Sequence, residues 1–501
     1  MPRCSSRPSR AAGLIAAGLL IAALNTGASS LAAPQVQPAL ASGPTLPIGH
    51  AGTWVTDADG RVVVLHGLNQ VYKVPPYEPS ADGFGDDDAA FLATNGFNAM
   101  RVGVIWAAVE PQPGSYDDTY LASIAQTVQT LAAHGVLSLL DFHQDLFNEV
   151  FQGEGAPAWA VQTGGLPNPQ LGFPANYFAN PAEDYAWNAL WRNAPAPDGI
   201  GLQDHYAHTW AHVAAYFQGN PGVFGYEILN EPWPGLLWEP CANPVVGCIV
   251  NDAKLRGLYN RVVPAIRAAD PTTLVFFEPN VLFSEVIHTD VGTVADRNTG
   301  FSFHDYCALE TVLHKDISCS QQDWAVFNNA RHYTAVHQIP ALLTEFGATD
   351  DLANLAGVLR RADDDRIGWL EWAYTGNDKT SSSPTDQALV FDPSQPPTGS
   401  NVNTAKLAVL AAPYPQLVAG TPKSWSFKSG TFRLCYTTER ADHQGRFSPG
   451  TPTVISVPAI EYPSGYQVTV KGGQVVSAPG APLLTVVADA GADTVDVTVT
   501  P

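Results

Sequence analysis

Short apolar runs recur along the chain between residues 62 and 374, separated by longer segments with a different pattern. Eight runs are rich in β-branched and aromatic residues: Val62–Asn69, Ala99–Trp106, Leu137–His143, Val223–Glu231, Leu274–Pro279, Phe301–Tyr306, Ala341–Gly347 and Ile367–Tyr374. Strands that are apolar on both sides are typical of a parallel sheet covered by helices. Between them, apolar residues stand three and four positions apart, as on one face of a helix. These segments are Asp117–His134, Gln203–Gln218, Asp252–Ala269, Trp324–His337 and Thr404–Ala411. The alternation predicts an α/β fold, a (β/α)8 TIM barrel over residues 48–415.

A second pattern begins after Pro413, where the helical period gives way to short alternating runs. These runs are Ser424–Phe427, Thr431–Tyr436, Thr453–Val457, Tyr466–Lys471, Leu483–Val487 and Thr494–Thr500. Glycine-containing turns separate them, as expected of antiparallel strands. The pattern predicts a small C-terminal antiparallel β-sandwich domain over residues 416–501. It contains no catalytic cluster, so we expect a structural companion of the barrel; the alternative is a module that binds carbohydrate or a lipid surface.

The amino terminus has the pattern of an export signal. Three arginines precede an apolar run over residues 11–24, and small residues follow as far as Ala33. A membrane-spanning anchor is the alternative, but it requires about 20 apolar residues and this run is shorter. We expect residues 1–33 to be a secretory signal peptide cleaved near Ala33, residues 34–47 to be a linker, and the mature protein to be secreted.

Composition and charge narrow the function classes. Hydrophobic residues make up 45% of the chain and charged residues 14%, which excludes wholesale disorder. The formal net charge of −22 repels phosphate groups at long range, so a nucleic acid is not expected as a partner.

Four cysteines fall in two closely spaced pairs, Cys241 with Cys248 and Cys307 with Cys319. In an exported chain this spacing favours two local disulfides over a metal site, although four cysteines allow three connectivities and cross-pairing stays open. Cys4 falls in the signal segment, so Cys435 is left over; an inert buried thiol is one interpretation of it, and the sequence leaves its state open. The chain has neither a CxxC nor an HExxH motif, so we expect no metal and no cofactor.

The candidate chemistry lies where the predicted strands end, because the active site of a β/α barrel is built at that face. In strand order the polar and aromatic residues there are His66, Asn69 and Lys73; Arg101; Asp141, His143, Gln144 and Asp145; Asn230 and Glu231; Glu278; His304 and Tyr306; Glu345; Glu371 and Trp372. Carboxylates, imidazoles and aromatic platforms without a metal motif are the groups that cleave glycosidic bonds.

Glu231 and Glu345 are the strongest candidates for the two carboxyl groups that this reaction needs. They end the fourth and seventh strands, on opposite sides of the barrel mouth. A separation of about 5–5.5 Å gives retention through a covalent intermediate, and about 6.5–9.5 Å leaves room for an inverting water. Two strand-end acids can coincide by chance, but Asn230 beside one and Phe346-Gly347 after the other make this pair more specific.

Asn230-Glu231-Pro232 and Leu343-Thr344-Glu345-Phe346-Gly347 resemble the motifs of retaining enzymes of glycoside hydrolase family 5. The resemblance covers roughly residues 48–412 and implies that Glu231 is the acid/base and Glu345 the nucleophile. Within that family the chain is similar to the endoglycoceramidases, secreted enzymes that cut between an oligosaccharide and ceramide. The local matches to this subgroup are Asp141-Phe142-His143-Gln144-Asp145, Asn69 followed by Lys73, and Asn230-Glu231-Pro232-Trp233.

Elementary chemistry gives the remaining residues roles that agree with this resemblance. Arg101 and the Tyr306 hydroxyl stabilise the ionised nucleophile, with His304 as a further supporting group. Asn230 donates to the sugar 2-hydroxyl. Lys73, His143 and Asp145 hold hydroxyls of the lipid-linked sugar, and Trp372 forms a floor for a sugar ring.

Each assignment has a structural alternative. His66, His143 and His304 are also compatible with core histidines. Glu278 and Glu371 could be partners of buried barrel cations, and Trp372 could be core. Lys73 and Asp145 could be ordinary loop charges.

The substrate class rests on the long segment from Asp145 to about Ile200, which is too long for a plain connection in a compact domain. It is rich in aromatics: Phe147, Phe151, Trp159, Phe173, Tyr177, Phe178, Tyr185, Trp187 and Trp191. The loop Trp233–Trp238 adds further apolar residues. We expect both segments to wall a contiguous apolar groove for the two hydrocarbon chains of ceramide, where a polysaccharide enzyme needs a long polar cleft.

The sequence therefore predicts a secreted retaining endo-β-glycosidase that hydrolyses the oligosaccharide–ceramide bond of glycosphingolipids by double displacement. Its substrate would lie in membranes or micelles, and we expect a monomer with no required protein partner. The alternatives are another retaining β-glycosidase of the family, such as an endo-β-glucanase, a mannanase or a sterol-glucoside hydrolase, and a glycolipid-binding protein without activity.

Overall fold

The computed structural model describes residues 43–307, 318–376 and 384–501. The predicted signal peptide and most of the predicted linker lie outside the described residues. Within the described ranges, no helix combines the length and the apolar character needed to cross a membrane.

The core of the molecule is a closed barrel of eight parallel strands. In order around the barrel they are His66–Gln70, Ala99–Ile105, Leu137–His143, Val223–Glu227, Leu274–Phe277, Thr299–Asp305, Ala341–Phe346 and Gly368–Glu371. Each strand pairs in parallel with the next, with a register shift between the third and fourth strands and another between the sixth and seventh. The eighth strand closes on the first by pairing Trp369 with His66. The predicted TIM barrel is therefore confirmed.

Helices surround the barrel, and the longer ones bury an apolar face. Those of the described ranges are Asp86–Thr94, Trp106–Val109, Asp118–Ala133, Ala175–Ala179, Pro181–Trp191, Leu202–Phe217, Trp238–Cys241, Ile249–Ala269, Cys319–His337, Leu352–Asp365, Pro384–Gln387 and Thr404–Leu410. The helix Asp118–Ala133 shows why such segments fold. The Asp117 side chain accepts hydrogen bonds from the backbone N–H groups of Thr119 and Tyr120, satisfying donors that the first turn leaves unpaired.

The first barrel strand differs from its prediction. It begins at His66, whereas Val62–Val63 leaves the barrel and pairs with the strand Tyr414–Val418. His66 therefore lies at the amino end of its strand, opposite the face where catalytic groups gather. Its buried ring stacks between Trp369 and Tyr414, with centroid distances of 4.3 and 3.7 Å, and burial holds its pKa well below the ordinary histidine value. His66 is a core histidine.

The second domain is a sandwich of two antiparallel sheets, which confirms the predicted architecture. One sheet has seven strands, in the order Gly49–Ala51, Trp54–Thr56, Val62–Val63, Tyr414–Val418, Pro452–Ser456, Leu483–Ala488 and Gly473–Val475. The other has four, in the order Thr421–Lys428, Thr431–Thr437, Thr494–Thr500 and Gln467–Lys471.

The larger sheet takes three short strands from the chain that precedes the barrel. Tyr414–Val418 also lies across the boundary expected at residue 415. Strands of two or three residues are too short to show an alternating pattern, so the sequence did not reveal them. The barrel and the sandwich are thus joined at both ends of the barrel segment.

Side-chain hydrogen bonds connect the two domains. Trp425 Nε1 donates to Asp363 Oδ1 over 2.6 Å, and the Tyr414 hydroxyl donates to the carbonyl of Gly96 over 2.9 Å. The sandwich therefore packs against the barrel through specific contacts.

Two local disulfides join Cys241 to Cys248 and Cys307 to Cys319. This is the local connectivity, so the cross-pairing that the sequence left open does not occur. Cys435 is disulfide-bonded as well, and the expectation of an unpaired thiol at this position is wrong.

Candidate active site

Arg101 is the charged centre of the barrel mouth. It projects from the second strand, is fully buried, and faces four carboxylates. Its Nη1 lies 2.5 Å from Glu345 Oε1 and its Nε 2.5 Å from Glu227 Oε2. Its Nη2 lies 3.0 Å from Asp141 Oδ2 and 3.4 Å from Glu278 Oε1. Burial alone would lower the guanidinium pKa, but these carboxylates hold it well above its ordinary value. Arg101 is the cation that compensates a buried acidic cluster.

Glu345 lies near the end of the seventh strand, Ala341–Phe346, with both carboxylate oxygens engaged. One oxygen accepts from Arg101, and the other accepts from the Tyr306 hydroxyl over 2.9 Å. Burial, together with the nearby Glu345, raises the Tyr306 pKa well above its ordinary value. The phenol therefore stays protonated and acts as the hydrogen-bond donor to Glu345. The two donors hold the Glu345 carboxylate in one orientation at the cavity wall, as the role of a nucleophile would require.

Glu231 stands four residues beyond the end of the fourth strand, in the left-handed backbone region with φ 43°. Hydrogen bonds hold it there: its backbone N–H donates to Glu278 Oε2 over 3.1 Å, and its carbonyl accepts from Gln144 Nε2 over 3.1 Å. A left-handed conformation is strained for a non-glycine residue and persists only where the surroundings impose it. The loop thus presents the Glu231 side chain to the cavity in one orientation.

His304 connects the two candidate catalytic groups. Its Nδ1 lies 2.8 Å from Glu231 Oε1 and 3.5 Å from Glu345 Oε2, and its Nε2 lies 3.3 Å from Glu278 Oε1. Burial would lower the His304 pKa, but Glu278 and Glu345 hold it well above its ordinary value. The neighbouring carboxylates thus favour the charged form of the ring, whose Nδ1 is within hydrogen-bond distance of Glu231.

The separation of Glu231 and Glu345 is short. One ligand atom from each of Glu231, His304 and Glu345 lies within 4.8 Å of the others. Carboxyl groups about 5–5.5 Å apart allow direct attack on the anomeric carbon, whereas an interposed water needs about 6.5–9.5 Å. The nearest oxygens of Glu231 and Glu345 therefore lie within the distance that favours direct attack.

A second group of side chains lies beside this pair. Lys73 forms an ion pair with Asp145, and its ammonium group lies 4.3 Å from the centre of the Trp372 ring. The His143 ring stacks on Trp372 at a centroid distance of 5.3 Å, while His143 Nδ1 is 2.8 Å from Asp141 Oδ2. Burial raises the Asp145 pKa to about 7 despite the opposing effect of Lys73. These are buried groups at the cavity wall, not ordinary loop charges.

Asn230 lies between the two groups. Its Oδ1 accepts from Arg101 Nη2 over 2.7 Å and its Nδ2 donates to the carbonyl of Gln144 over 2.9 Å. These bonds set the orientation of the amide, so its second N–H has a defined direction.

Glu278 and Glu371 are partners of buried cations, as the structural alternative predicted. Glu278 lies between Arg101 and His304. Glu371 is fully buried, 3.5 Å from Lys406 Nζ. Asn69 is also structural, because its Nδ2 donates to carbonyls of the seventh and eighth strands.

Among the residues that the structure describes, two buried groups each bring three potential metal ligands within 4.8 Å of one another: His143, Asp145 and Glu154, and Glu231, His304 and Glu345. In the first group the Asp145 carboxylate is paired with Lys73. In the second, His304 is hydrogen-bonded to Glu231. Both sets are thus bonded to cations or to one another in a way that suits proton transfer and hydroxyl binding.

The catalytic groups open into a cavity of about 490 Å³ with two unlike ends. One end contains Lys73, His143, Asp145, Glu231, Tyr306, Glu345 and Trp372. The other is mostly apolar and contains Phe173, Pro174, Tyr177, Phe178, Trp233, Ala242, Val281, Leu282 and Ile287, with Ser284 and Glu285 as its polar members. A ligand with a polar head and an apolar body fits this division.

The predicted aromatic wall is only partly correct. Of the segment after the third strand, Phe173, Tyr177 and Phe178 line the cavity. Four others, Phe147, Phe151, Trp187 and Trp191, are core residues no more than 5% exposed. From the following loop Trp233 lines the cavity, while Trp238 packs on the edge of Phe178.

The opposite apolar wall was missed. Val281, Leu282 and Ile287 come from the short 3-10 helix Val281–Glu285 and the residues after it. The sequence did contain an indication of this wall: an apolar run follows Glu278, at the carboxyl end of the fifth strand.

The raised pKa values of several buried carboxyl groups predict that the free energy of unfolding depends on pH. Burial raises the pKa of Asp145, Glu278 and Glu371 to about 7 in each case. Between about pH 4.5 and 7 the folded state therefore holds protons that the unfolded state has lost, and the free energy of unfolding falls as pH rises. The pKa values of His66 and His143 are lowered, so below the ordinary histidine pKa these two residues have the opposite effect on the free energy of unfolding. The carboxyl groups with raised pKa values are more numerous, so their effect prevails. We expect a higher Tm at about pH 5 than at about pH 7.5 by calorimetry; a Tm that rises across this range would contradict it.

Sequence and structure comparisons agree with this site. The family described as Cellulase (glycosyl hydrolase family 5) matches residues 56–378, and the glycoside hydrolase family 5 C-terminal domain matches residues 413–500. Endoglycoceramidase I of Rhodococcus hoagii (strain 103S) is 33% identical over 457 residues, covering 87% of this chain and 85% of that protein. Endoglycoceramidase of Hydra vulgaris is 27% identical over 443 residues, covering 82% and 80%.

Solved structures show the same relationship. Endo-glycoceramidase II from Rhodococcus sp. superposes with a TM-score of 0.73 at 29% identity, covering 89% of this chain and 98% of that chain. The same enzyme has been solved as a ganglioside GM3 complex, with a TM-score of 0.72 and 27% identity over 89% and 99% of the two chains. The predicted likeness to endoglycoceramidases is confirmed. With a family match over more than half of its length, the chain belongs to glycoside hydrolase family 5 and is a hydrolase of O-glycosyl bonds.

Proposed function

We propose that the protein is a retaining endo-β-glycosidase that releases the intact oligosaccharide of a glycosphingolipid from ceramide. The observation that carries this is the divided cavity, with the Glu231–Glu345 pair at one end and an apolar channel at the other. A glycosphingolipid has the same division, with hydroxyl-rich sugars on one side of the scissile bond and hydrocarbon chains on the other. Relatives with endoglycoceramidase activity in their names, and one solved with a ganglioside, support the assignment.

In the first step, Glu345 attacks the anomeric carbon while Glu231 gives its proton to the glycosidic oxygen. The bond from the sugar to ceramide breaks, ceramide leaves as the alcohol, and the sugar becomes an ester of Glu345. Arg101 and Tyr306 orient the attacking oxygen, and His304 holds the Glu231 carboxyl by a hydrogen bond.

In the second step, the ionised Glu231 takes a proton from a water molecule, and the resulting hydroxide equivalent attacks the same carbon. The ester bond to Glu345 breaks, and the free sugar leaves with the configuration of the substrate. Asn230 is placed to donate to the sugar 2-hydroxyl, an interaction that strengthens as positive charge develops on the ring. Lys73, His143 and Asp145 hold the hydroxyls of the lipid-linked sugar over the Trp372 ring.

A panel of glycosphingolipids in detergent solution tests the proposal. We expect intact oligosaccharide and free ceramide, detected together by mass spectrometry. Monosaccharide release would indicate an exo-acting enzyme. Cleavage confined to soluble glucans, mannans or sterol glucosides would favour another retaining β-glycosidase. If no activated β-glycoside were turned over, a glycolipid-binding protein without activity would be the remaining interpretation.

The stereochemistry of the product is a separate prediction. Because the two carboxyl groups are close enough for direct attack, the first-formed sugar should have the β configuration. Proton magnetic resonance of the early reaction mixture distinguishes the anomers before mutarotation. If the α anomer came first, the reaction would be inverting and would need a different pair of acids.

The cellular location and the oligomeric state of the protein are part of the proposal. We propose that the protein is secreted after removal of residues 1–33, and that it acts as a monomer on glycolipids presented in membranes or micelles. Amino-terminal sequencing of the exported protein and its mass in solution test these points.

A further inference from the structure

An exposed apolar patch lies on the loop closed by the Cys241–Cys248 disulfide and on the first turn of the helix that follows. We call it the valine patch and define it as Val245, Val246, Ile249 and Val250. These four side chains are 87%, 53%, 55% and 63% exposed. Neighbouring exposed apolar side chains are usually buried against a partner in a soluble protein, so the patch indicates an interaction surface.

The patch carries no charge. From Pro240 to Asn251 the chain has no Asp, Glu, Lys, Arg or His, in a protein with a formal net charge of −22. The Cys241–Cys248 bond closes the loop and reduces the number of conformations open to it. The patch therefore offers a preformed, uncharged, aliphatic surface for binding.

The loop also borders the apolar end of the catalytic cavity. Ala242 lines that cavity. Gly247, with φ +69°, packs so closely on His288 that an added Cβ would lie 2.7 Å from its Nε2, and Ile287, the neighbour of His288, lines the cavity too. The loop closed by the disulfide thus lines the cavity at Ala242 and presents the valine patch to solvent from Val245 onward.

We propose that the valine patch docks the enzyme onto an uncharged lipid surface, so that the ceramide chains pass from that surface directly into the cavity. This inference rests on the proposed function and adds where the enzyme meets its substrate. A lipid surface is the occupant because the loop that carries the patch also lines a mostly apolar cavity, and because the patch has no charged residue with which to bind a protein partner. Binding depends on apolar burial, so salt has little effect and anionic lipid is repelled by the charge of the protein.

The chain offers a matched pair of variants. Val245→Ser with Val246→Ser alters the patch, and Val475→Ser with Val476→Ser alters a second exposed valine pair, 39% and 44% exposed, in the sandwich domain. Binding to phosphatidylcholine vesicles without glycolipid is measured by co-sedimentation. We expect the patch variant to bind about tenfold more weakly, since each exchange removes branched hydrocarbon from the buried surface. The control variant should bind like the unaltered protein.

Activity measurements complete the test. The patch variant should lose about tenfold in cleavage of glycosphingolipid in vesicles, and it should keep its rate on a soluble aryl β-glycoside, which also shows that it has folded. Equal vesicle binding by the two variants, no vesicle binding by the unaltered protein, or stronger binding on addition of phosphatidylserine would overturn the proposal. A dimer that the patch exchanges dissociate would make a second copy the occupant and overturn it as well. If the unaltered enzyme cleaved no glycosphingolipid even in detergent, the proposed function would fail instead.

Discussion

Replacing Glu345 by glutamine is expected to lower kcat by at least about 1,000-fold on every β-glycoside tested, because the amide cannot form the glycosyl ester. The fold should persist, since glutamine has nearly the same shape and Arg101 keeps Asp141, Glu227 and Glu278 as charge partners. Turnover of an aryl β-glycoside and of a glycosphingolipid measures the loss, and circular dichroism checks the fold.

Azide makes this prediction specific to the nucleophile. With a small residue at position 345, azide should attack the face of the sugar that Glu345 normally approaches and give a glycosyl azide of inverted configuration. Glu231→Gln should also lose activity, because it cannot donate the proton to the leaving alcohol. Glu439→Gln, an exposed change in the sandwich, is the control and should leave kcat unaltered. Near-native turnover by Glu345→Gln would show that the nucleophile lies elsewhere.

The second large effect concerns the apolar end of the cavity. Phe178 is 46% exposed and lines that end, and Trp238 packs on it at a centroid distance of 5.3 Å. Changing both to serine should weaken the hold on three or four methylenes of the lipid. At about 0.8 kcal/mol each this is about 2.4–3.2 kcal/mol, or roughly 60- to 200-fold in kcat/KM for a glycosphingolipid.

Selectivity separates this effect from general damage. A soluble aryl β-glycoside does not reach the apolar end, so its kcat/KM should change little. Trp324→Ser with Phe391→Ser is a matched control, because it removes the same two residue types from exposed positions, 58% and 42% exposed, outside the cavity lining. Equal losses on both substrates would mean that Phe178 and Trp238 only pack the core, and a polysaccharide-type function would then be preferred.

The barrel was predictable because its strands are buried on both faces. Leu137–His143 and the other seven runs are therefore mostly apolar, and this pattern can be recognised in a single sequence. In a closed parallel barrel every strand end points to one face, so Glu231 and Glu345 could be placed near each other although 114 residues separate them in the chain.

The errors share a different cause. His66 was placed at the end of the first strand because Val62 and Val63 continue its apolar run, yet those valines pair with Tyr414–Val418 in another sheet. The aromatic segment was assigned as a whole to the groove, although aromatic side chains are equally suited to core packing, as Phe151 and Trp187 show. Hydrophobicity alone does not tell a cavity wall from a core.

By itself, the sequence determined the barrel, the sandwich that follows it and the two carboxylates at its mouth, because each depends on a local period or on a motif at a strand end. Only the tertiary structure decided which aromatics line the cavity and which pack in the core. It alone joined the strands before the barrel to the sandwich, and brought Glu227 and Glu278 against Arg101 and His304. These features depend on contacts between residues far apart in the chain. The burial and charge of each group are set by its neighbours in space, which no local sequence pattern identifies.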